Sequence, residues 1–382
     1  MIKETMTPRE RVWAAVNLEP YDRVPVIPII GQFAARQAGL ARWDRGSNRM
    51  SGVEAFRKNY DDLGGYDGKI VAGLTWPISS WRINAPPGGR MIAPGEDGTP
   101  ENFSVQYEER ETMTVEDYDT IINKGWNGFL EEHIPRVTGI SLEQMEKNQR
   151  RLLDIYLEDA AYWRARDVEV IAGALVVSCE MTLSLARTFT QFTLDLHRMP
   201  GRVQAALEAM VPDFIDNVLR DTKASGVPWV HISLERGSGA YYNLKTYERF
   251  FFPQLKKIVD AVTAKGVVCW LHMDTDWTLN LPYLRDLPTK MCICDFDSIT
   301  DIFKAKEILA GHMCIMGDVS PSLLSLGTVD EVNEYCNKLI DIVGRDGGLI
   351  MSSGCEVPID AKFENVKAMI DSVKKRPYPV SA

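Results

Sequence analysis

Six apolar runs from Val168 onward stop on residues most of which can bind a metal or move a proton. Val168–Cys179 is followed by Glu180, Trp229–Leu234 by Glu235, and Val267–Leu271 by His272. Met291–Cys294 is followed by Asp295, Met313–Gly317 by Asp318, and Leu349–Gly354 by Cys355. Helical patterns separate these runs, so they read as short buried strands. In a barrel of alternating strands and helices, the C-terminal strand ends surround one cavity, and the chemistry sits there. The pattern predicts an enzyme with its site at a barrel mouth.

Two earlier stretches extend the series. Arg23–Ile30 reads as a first buried strand, with Pro25 and Pro28 suited to strand ends. Lys69–Gly73 reads as a second. Eight strand candidates alternating with helices match an α/β fold of the (β/α)8 TIM-barrel type, here as a single domain over residues 1–382. An open doubly wound sheet is the alternative, but no Gly-rich phosphate fingerprint follows the first strand. Residues 74–125 break the pattern with Pro77, Pro86, Pro87, Gly88, Gly89, Pro94, Gly95 and Pro100. They predict an inserted segment of loops and short antiparallel strands near Phe103–Tyr107, either a lid over the site or a surface loop. Residues 127–166 read as mainly helical. Thr7-Pro8-Arg9-Glu10 and Thr328-Val329-Asp330-Glu331 are capping boxes that start helices. The second helix would bury Val332, Cys336, Leu339, Ile340 and Val343.

Composition narrows the function classes. Hydrophobic residues make up 45% and charged residues 25%, as in soluble globular proteins. A net charge of −10 argues against nucleic acid or an anionic membrane as the main partner. The N-terminus lacks the apolar core of a signal peptide, and no apolar run approaches the ~20 residues of a transmembrane helix. Of seven cysteines, Cys179, Cys269, Cys292, Cys294 and Cys314 lie within the strand-like runs. Reduced, buried thiols in a cytoplasmic protein are the expectation.

The candidate chemistry begins with His272-Met273-Asp274. Residues 272 and 274 of a strand face one side, ~6–7 Å apart along the chain. With Cys355 beyond the final strand, they offer imidazole, carboxylate and thiolate, a donor set that suits Zn2+ with a position left open for substrate. Each has a plainer reading as a structural residue. Glu235 shares a face with Ser233 and His231, and is a third ligand, a general base or the partner of an arginine. Glu180 binds substrate or caps the next helix, and Glu248 reads as a helix-surface charge. Asp295, Asp297 and Asp318 orient a ligand or serve turns, with a helix N-cap favoured for Asp297. Trp76, Trp81, Tyr241, Tyr242 and Trp277 flank these positions and line a pocket for a flat ligand or simply pack.

These residues carry a resemblance. The opening Pro8-Arg-Glu-Arg-Val-Trp-Ala-Ala-Val with Asp22-Arg-Val-Pro-Val resembles the start of the uroporphyrinogen decarboxylase superfamily. So do His272 at a strand end, Gly317-Asp-Val-Ser-Pro321 and Ser353-Gly-Cys-Glu-Val-Pro358. The resemblance implies one of two branches. One is the cofactor-free decarboxylase, which holds an acidic tetrapyrrole with an aspartate and N-terminal arginines. The other comprises zinc methyltransferases that exchange a methyl group with a cobamide carried on a corrinoid protein docked at the barrel mouth. Arg36-Gln-Ala-Gly39 echoes a decarboxylase element, but the arginine-rich surroundings are missing, which suits an eight-carboxylate substrate poorly. In the thiol-methylating branch zinc is held by a His-x-Cys pair and a later Cys. Here His272 and Cys355 match and Asp274 replaces the middle Cys. A harder ligand set with Asp274 or Glu235 suits polarising an oxygen.

The expectation is therefore the methyltransferase component of an O-demethylase. It would move a methyl group from a methyl ether, an aromatic one, to the Co(I) of a separate corrinoid protein. Metal ligands would be His272, Cys355 and Glu235, catalytic groups Glu235 and Asp274, and substrate contacts Glu180, Trp76, Tyr241, Trp277 and Asp318. Three alternatives stand beside it: transfer from the corrinoid to a thiol or tetrahydrofolate, uroporphyrinogen decarboxylation, and a non-catalytic subunit that binds a corrinoid protein. The resemblance also implies a homodimer.

Overall fold

The structure is a computed structural model that describes residues 4–39, 49–70, 90–92, 98–100 and 106–376. Its strands are β1 (Gly68–Ile70), β2 (Arg90–Ile92), β3 (Gln106–Glu108), β4 (Glu169–Ile171), β5 (Ala174–Val177), β6 (Trp229–Ser233), β7 (Val268–Met273), β8 (Cys292–Phe296), β9 (Cys314–Val319) and β10 (Leu349–Ser353). Six of them form a parallel sheet in the order β10-β9-β8-β7-β6-β5, and β1 pairs in parallel with β4.

Backbone hydrogen bonds join these pieces into a ring. Val26 bridges Met351 of β10 in parallel, with Ile27 N donating to Met351 O (2.9 Å) and Met351 N to Pro25 O (2.8 Å). On the other side Asp67 N donates to Val26 O (2.8 Å), and Glu169 N to Asp67 O (2.9 Å). β4 and β5 are two halves of one barrel strand, broken at Ala172 and Gly173. Gly173 N donates to Trp229 O (2.8 Å), and a Cβ there would sit 2.0 Å from Val227 O, so only glycine fits this approach. Counting the extended segment around Val26, eight stretches close the (β/α)8 barrel. Every residue of β6 to β10 is buried, as expected for parallel strands covered by helices.

Both capping boxes form, Thr7 with Glu10 and Thr328 with Glu331. The helix Val329–Ile342 buries the face read from its sequence, and all seven cysteines are free, with only Cys355 partly exposed. No helix among the described residues is long and apolar enough to cross a membrane.

Some expectations move. The first strand contributes only an isolated bridge, because its prolines leave few N–H groups for a ladder. Residues 71–73 of the second lie outside the described residues. β2 and β3 do pair antiparallel inside the 74–125 segment, but its end is helical: the helix Asp117–Thr138 starts there, with Asp117 accepting from Thr114 N (2.8 Å). His272, Asp295 and Asp318 are the last residues but one of β7, β8 and β9, inside the strands rather than after them. Asp297 is no N-cap. Its carboxylate accepts from Thr275 N (2.6 Å) and Ile299 N (2.9 Å), while Asp301 caps the helix Ile302–Leu309.

The seam is held by a buried ionic cluster. Asp67, fully buried just before β1, takes Arg11 Nη1 at 2.6 Å, Arg23 Nη1 at 2.7 Å and Val26 N at 2.8 Å. Arg11 also pairs with Asp22 (2.6 Å) and Arg23 with Glu4 (2.8 Å). Removing one partner leaves a charge buried alone, at a cost of about 3–5 kcal/mol. Asp67→Asn is expected to lower the unfolding free energy by that much, read as a lower urea midpoint with an unchanged slope. A loss below about 1 kcal/mol would show the cluster to be incidental.

Candidate metal centre

β7 presents Trp270 and His272 on one face, and Asp274 continues that face one residue past the strand end. Asp274 is fixed by its surroundings. Trp277 Nε1 donates to its carbonyl oxygen (2.8 Å), and the next residue, Thr275, holds a left-handed φ of 73° with its N–H on Asp297. From across the mouth Cys355 follows β10, behind Gly354, whose Cα hydrogen faces the Asp297 backbone. A Cβ at Gly354 would lie 2.7 Å from the Asp297 carbonyl oxygen.

These elements bring three donors together. His272 Nε2 lies 3.3 Å from Asp274 Oδ1 and 3.8 Å from Cys355 Sγ, and the three donor atoms are within 4.8 Å of one another. Donors bound tetrahedrally to zinc stand roughly 3.2–3.7 Å apart, so this trio needs only a small contraction. Asp274 Oδ1 is buried and, apart from the His272 Nε2 contact at 3.3 Å, meets no hydrogen-bond partner among the described residues. A buried carboxylate oxygen so poorly satisfied is costly, and a cation at this point would satisfy it. The donor set and its spacing thus fit a divalent metal such as zinc.

Behind the trio, Asp295 Oδ2 accepts from Trp270 Nε1 (2.8 Å) and meets His272 Nδ1 at 2.7 Å. Metal-binding histidines commonly turn their other nitrogen to a carboxylate in this way, which fixes the ring and leaves Nε2 free to coordinate. Burial disfavours a charged His272, but the Asp295 charge and the contacts with Asp274, Asp295 and Cys355 outweigh it, so its pKa stands well above the ordinary value. Burial pushes the Cys355 thiol up, against the pull of His272. His231, its ring 5.3 Å from that of His272, is driven well below its ordinary value by burial and by the neighbouring imidazole.

Two carboxyls stand beside the trio in strand order. Glu235, after β6, is raised by burial and then by the Asp274 charge, with His272 and Arg236 opposing. Glu180 lies in the first turn of the helix Cys179–Arg187, after β5. It is 4% exposed, Ser178 Oγ donates to its Oε1 (2.6 Å), and burial lifts its pKa to about 7.

The scan against protein-family models matches residues 134–376 to the family described as uroporphyrinogen decarboxylase (URO-D). The chain belongs to the uroporphyrinogen decarboxylase family. Among solved structures, a methyltransferase from Methanosarcina mazei matches with a TM-score of 0.70 at 17% identity, covering 97% of this chain and 99% of that one. This likeness establishes the barrel fold over nearly the whole length. A B12-independent methionine synthase from Shewanella sp. W3-18-1 matches over 58% of this chain and 67% of its own, with a TM-score of 0.39 at 13% identity. No curated protein matches the sequence.

Within this uroporphyrinogen decarboxylase-family barrel, the expected site residues divide. His272 and Cys355 meet as expected. The carboxylate grouped with them within 4.8 Å is Asp274, carried past β7 on the His272 face, while Glu235 follows β6, the neighbouring strand. Trp277 is fully buried and anchors Asp274 rather than offering a face to a ligand. Tyr241 is 49% exposed on the rim, edge-on to Phe189 at 5.2 Å. Asp318 is buried under Tyr335, whose OH donates to it (2.7 Å), and burial lifts its pKa to about 6. Glu248 is exposed and accepts from Tyr283. Trp76 and Trp81 lie outside the described residues. Trp270, Ser178, Tyr247 and Gly237 were not singled out from sequence. Only Trp270 carried a signal, its two-residue spacing from His272.

Two outcomes follow from this geometry. Asp295→Asn is expected to weaken zinc binding about 10–100-fold in a chelator competition, because the imidazole loses its orienting carboxylate. The unfolded chain releases the Glu180 proton near 4.5 and the folded chain near 7. Between those values the folded state holds more protons, so stability falls as pH rises. Glu180→Gln removes this penalty. It is expected to raise the unfolding free energy by about 3 kcal/mol at pH 8, a gain that fades below pH 7 and vanishes near pH 4.5. A gain independent of pH would refute the assignment.

Proposed function

We propose that this protein is a zinc-dependent methyltransferase that moves a methyl group from an aromatic methyl ether to the Co(I) of a corrinoid carried by a separate protein. The observation that supports this reading most is the mixed donor trio of His272, Asp274 and Cys355 at the mouth of a uroporphyrinogen decarboxylase-family barrel. A carboxylate in place of a second thiolate makes the set harder, and so better matched to an oxygen ligand. The likeness to a methyltransferase barrel points the same way.

The chemical problem is the leaving group. A phenol has a pKa near ~10, so its oxyanion leaves poorly unless its charge is met as it develops. Zinc, when bound at the trio, supplies a Lewis acid for that oxygen. The chain's own residues do the rest. Asp295 and Trp270 hold the His272 ring, and Trp277 holds the Asp274 backbone, so the donors are set before substrate arrives. Glu235 keeps its proton more tightly than an ordinary glutamate and stands within the field of Asp274 and His272. It is the acid we assign to protonating the departing oxygen. The corrinoid partner approaches from the open rim, where the loops after β6 and β7 leave Tyr241 and Leu279 49% and 60% exposed.

The test is metal content with turnover. About one zinc per chain is expected after reconstitution, lost in His272→Ala and in Cys355→Ala. Methoxylated aromatics with Co(I) cobalamin should then show the absorbance change of cobalt methylation, at least ~100-fold slower in both variants. Absence of zinc after reconstitution, together with decarboxylation of a porphyrinogen, would overturn the reading in favour of the decarboxylase.

A further inference from the structure

Exposed large apolar side chains gather at one place on this barrel. Among the described residues the four most exposed are Leu326 (80%), Ile299 (64%), Leu279 (60%) and Tyr241 (49%). They come after β9, β8, β7 and β6 in turn, so each follows the mouth end of one of four neighbouring strands. A single exposed leucine needs no explanation, but four such residues on consecutive loops of one rim mark an interaction surface.

Leu279 and Ile299 stand on a part of that rim fixed in advance. Hydrogen bonds stitch the loop after β7 to the loop after β8. Thr275 N donates to Asp297 Oδ2 (2.6 Å), Trp277 N to Thr300 Oγ1 (2.9 Å), Thr300 Oγ1 to Thr275 O (3.0 Å) and Asp301 N to Thr278 Oγ1 (3.5 Å). Leu279 and Ile299 each neighbour one of the stitching threonines in sequence. Leu279 also rests on the loop after β6, where a Cβ at Gly239 would lie 3.1 Å from the Leu279 Cβ. Loops already held in place cost little to order when a partner binds. Asp274, a member of the donor trio, opens the same platform.

The ground around these two residues is acidic. Residues 274–284 and 291–303 contain Asp274, Asp276, Asp295, Asp297 and Asp301 and no lysine or arginine. Asp276 and Asp301 are exposed. Arg236, on the loop after β6, is engaged by Glu109 (2.6 Å) and Ser184 Oγ (3.1 Å), and the exposed Lys245 and Arg249 come further along the chain, after Tyr241. An anionic membrane or a nucleic acid is repelled by such a surface. So is a second copy of this chain, because a two-fold contact sets the same carboxylates face to face. Charge complementarity selects a different protein, with basic residues around an apolar centre.

We propose that the stitched loops 274–280 and 297–301 are the docking platform for the corrinoid-carrying protein. Leu279 and Ile299 enter an apolar patch on that partner, and lysines or arginines around the patch face Asp276 and Asp301. The proposal rests on the methyl-transfer reading for the partner's identity and adds the surface and its chemistry. A few side chains make a small interface, of the class used by transient partners, and a carrier must leave with its methyl group.

The probe is the corrinoid protein of the source organism, loaded with cobalamin and titrated calorimetrically into the zinc-loaded full chain. Binding is expected to weaken at least ~10-fold in Leu279→Asp and in Ile299→Asp, with zinc content and melting temperature unchanged. Val137→Asp, an equally apolar-to-charged change on the helix Asp117–Thr138, should bind as the wild type does. Raising salt from ~50 to ~300 mM should weaken wild-type binding, and Asp276→Asn combined with Asp301→Asn, which keeps both acceptor oxygens, should flatten that dependence. Binding that depends on Leu279 and Ile299 without methyl transfer from any methoxylated aromatic would sink the methyl-transfer reading and leave the docking platform standing. No binding of the corrinoid protein, binding unchanged in both aspartate variants, or binding indifferent to salt would overturn the platform, whether or not free cobalamin is methylated.

Discussion

Closure of the barrel is the constraint on which the candidate site depends. His272 lies on β7 and Cys355 follows β10, three strands further around the sheet. In an open sheet of this order they would stand roughly 14 Å apart at the usual strand spacing. Curvature into a ring brings Cys355 Sγ to 3.8 Å from His272 Nε2. The ring closes through few bonds, because the proline-bearing first strand can donate little. The Val26–Met351 bridge and the bond from Asp67 to Val26 carry the backbone across. The buried Asp67 carboxylate, gripped by Arg11 and Arg23, supplies from side chains what the ladder lacks there. A cluster at the closed end thus bears on donor geometry at the open end.

Within that frame the donors are preorganised to different degrees. The His272 ring is fixed from behind by a fully buried aspartate, itself tied to Trp270. Asp274 is fixed through its backbone, while its buried Oδ1 has only His272 Nε2, at 3.3 Å, beside it. Cys355 sits on the turn after β10, close-packed through Gly354. Asp274 Oδ1, met only by His272 Nε2, is thus the poorly satisfied acceptor of the donor trio, and a cation bound there would complete it.

Much of this was legible in the sequence. Apolar runs ending on polar residues located the barrel strands and the mouth, since buried parallel strands need continuous apolar sequence and chemistry needs polar residues at its end. Two-residue spacing placed Asp274 beside His272. Sequence could not rank Asp274 against Glu235 as the third donor, because both sit at strand ends and only the relative rotation of β6 and β7 decides between them. Nor could it assign Trp277. An aromatic residue in a loop reads equally as pocket wall or buried anchor, and the choice depends on whether its N–H finds a carbonyl nearby, as it does at Asp274. The helix beginning at Asp117 was hidden for a related reason: the Pro- and Gly-rich stretch before it set an expectation of loops that ran past its true end.

The acid-lined mouth also says how the fold divides its work. Glu180, Glu235 and Asp318 all hold their protons more tightly than exposed carboxyls, each chiefly through burial. Such groups oppose folding at neutral pH and persist only if the rest of the barrel holds them in place. Burial raises Glu169 too, at the start of β4 and so at the opposite end of the barrel, where Arg9 and the Trp229 indole N–H oppose it. A cation bound at the donor trio would relieve part of that cost at the mouth, so metal binding should raise the stability of the whole barrel.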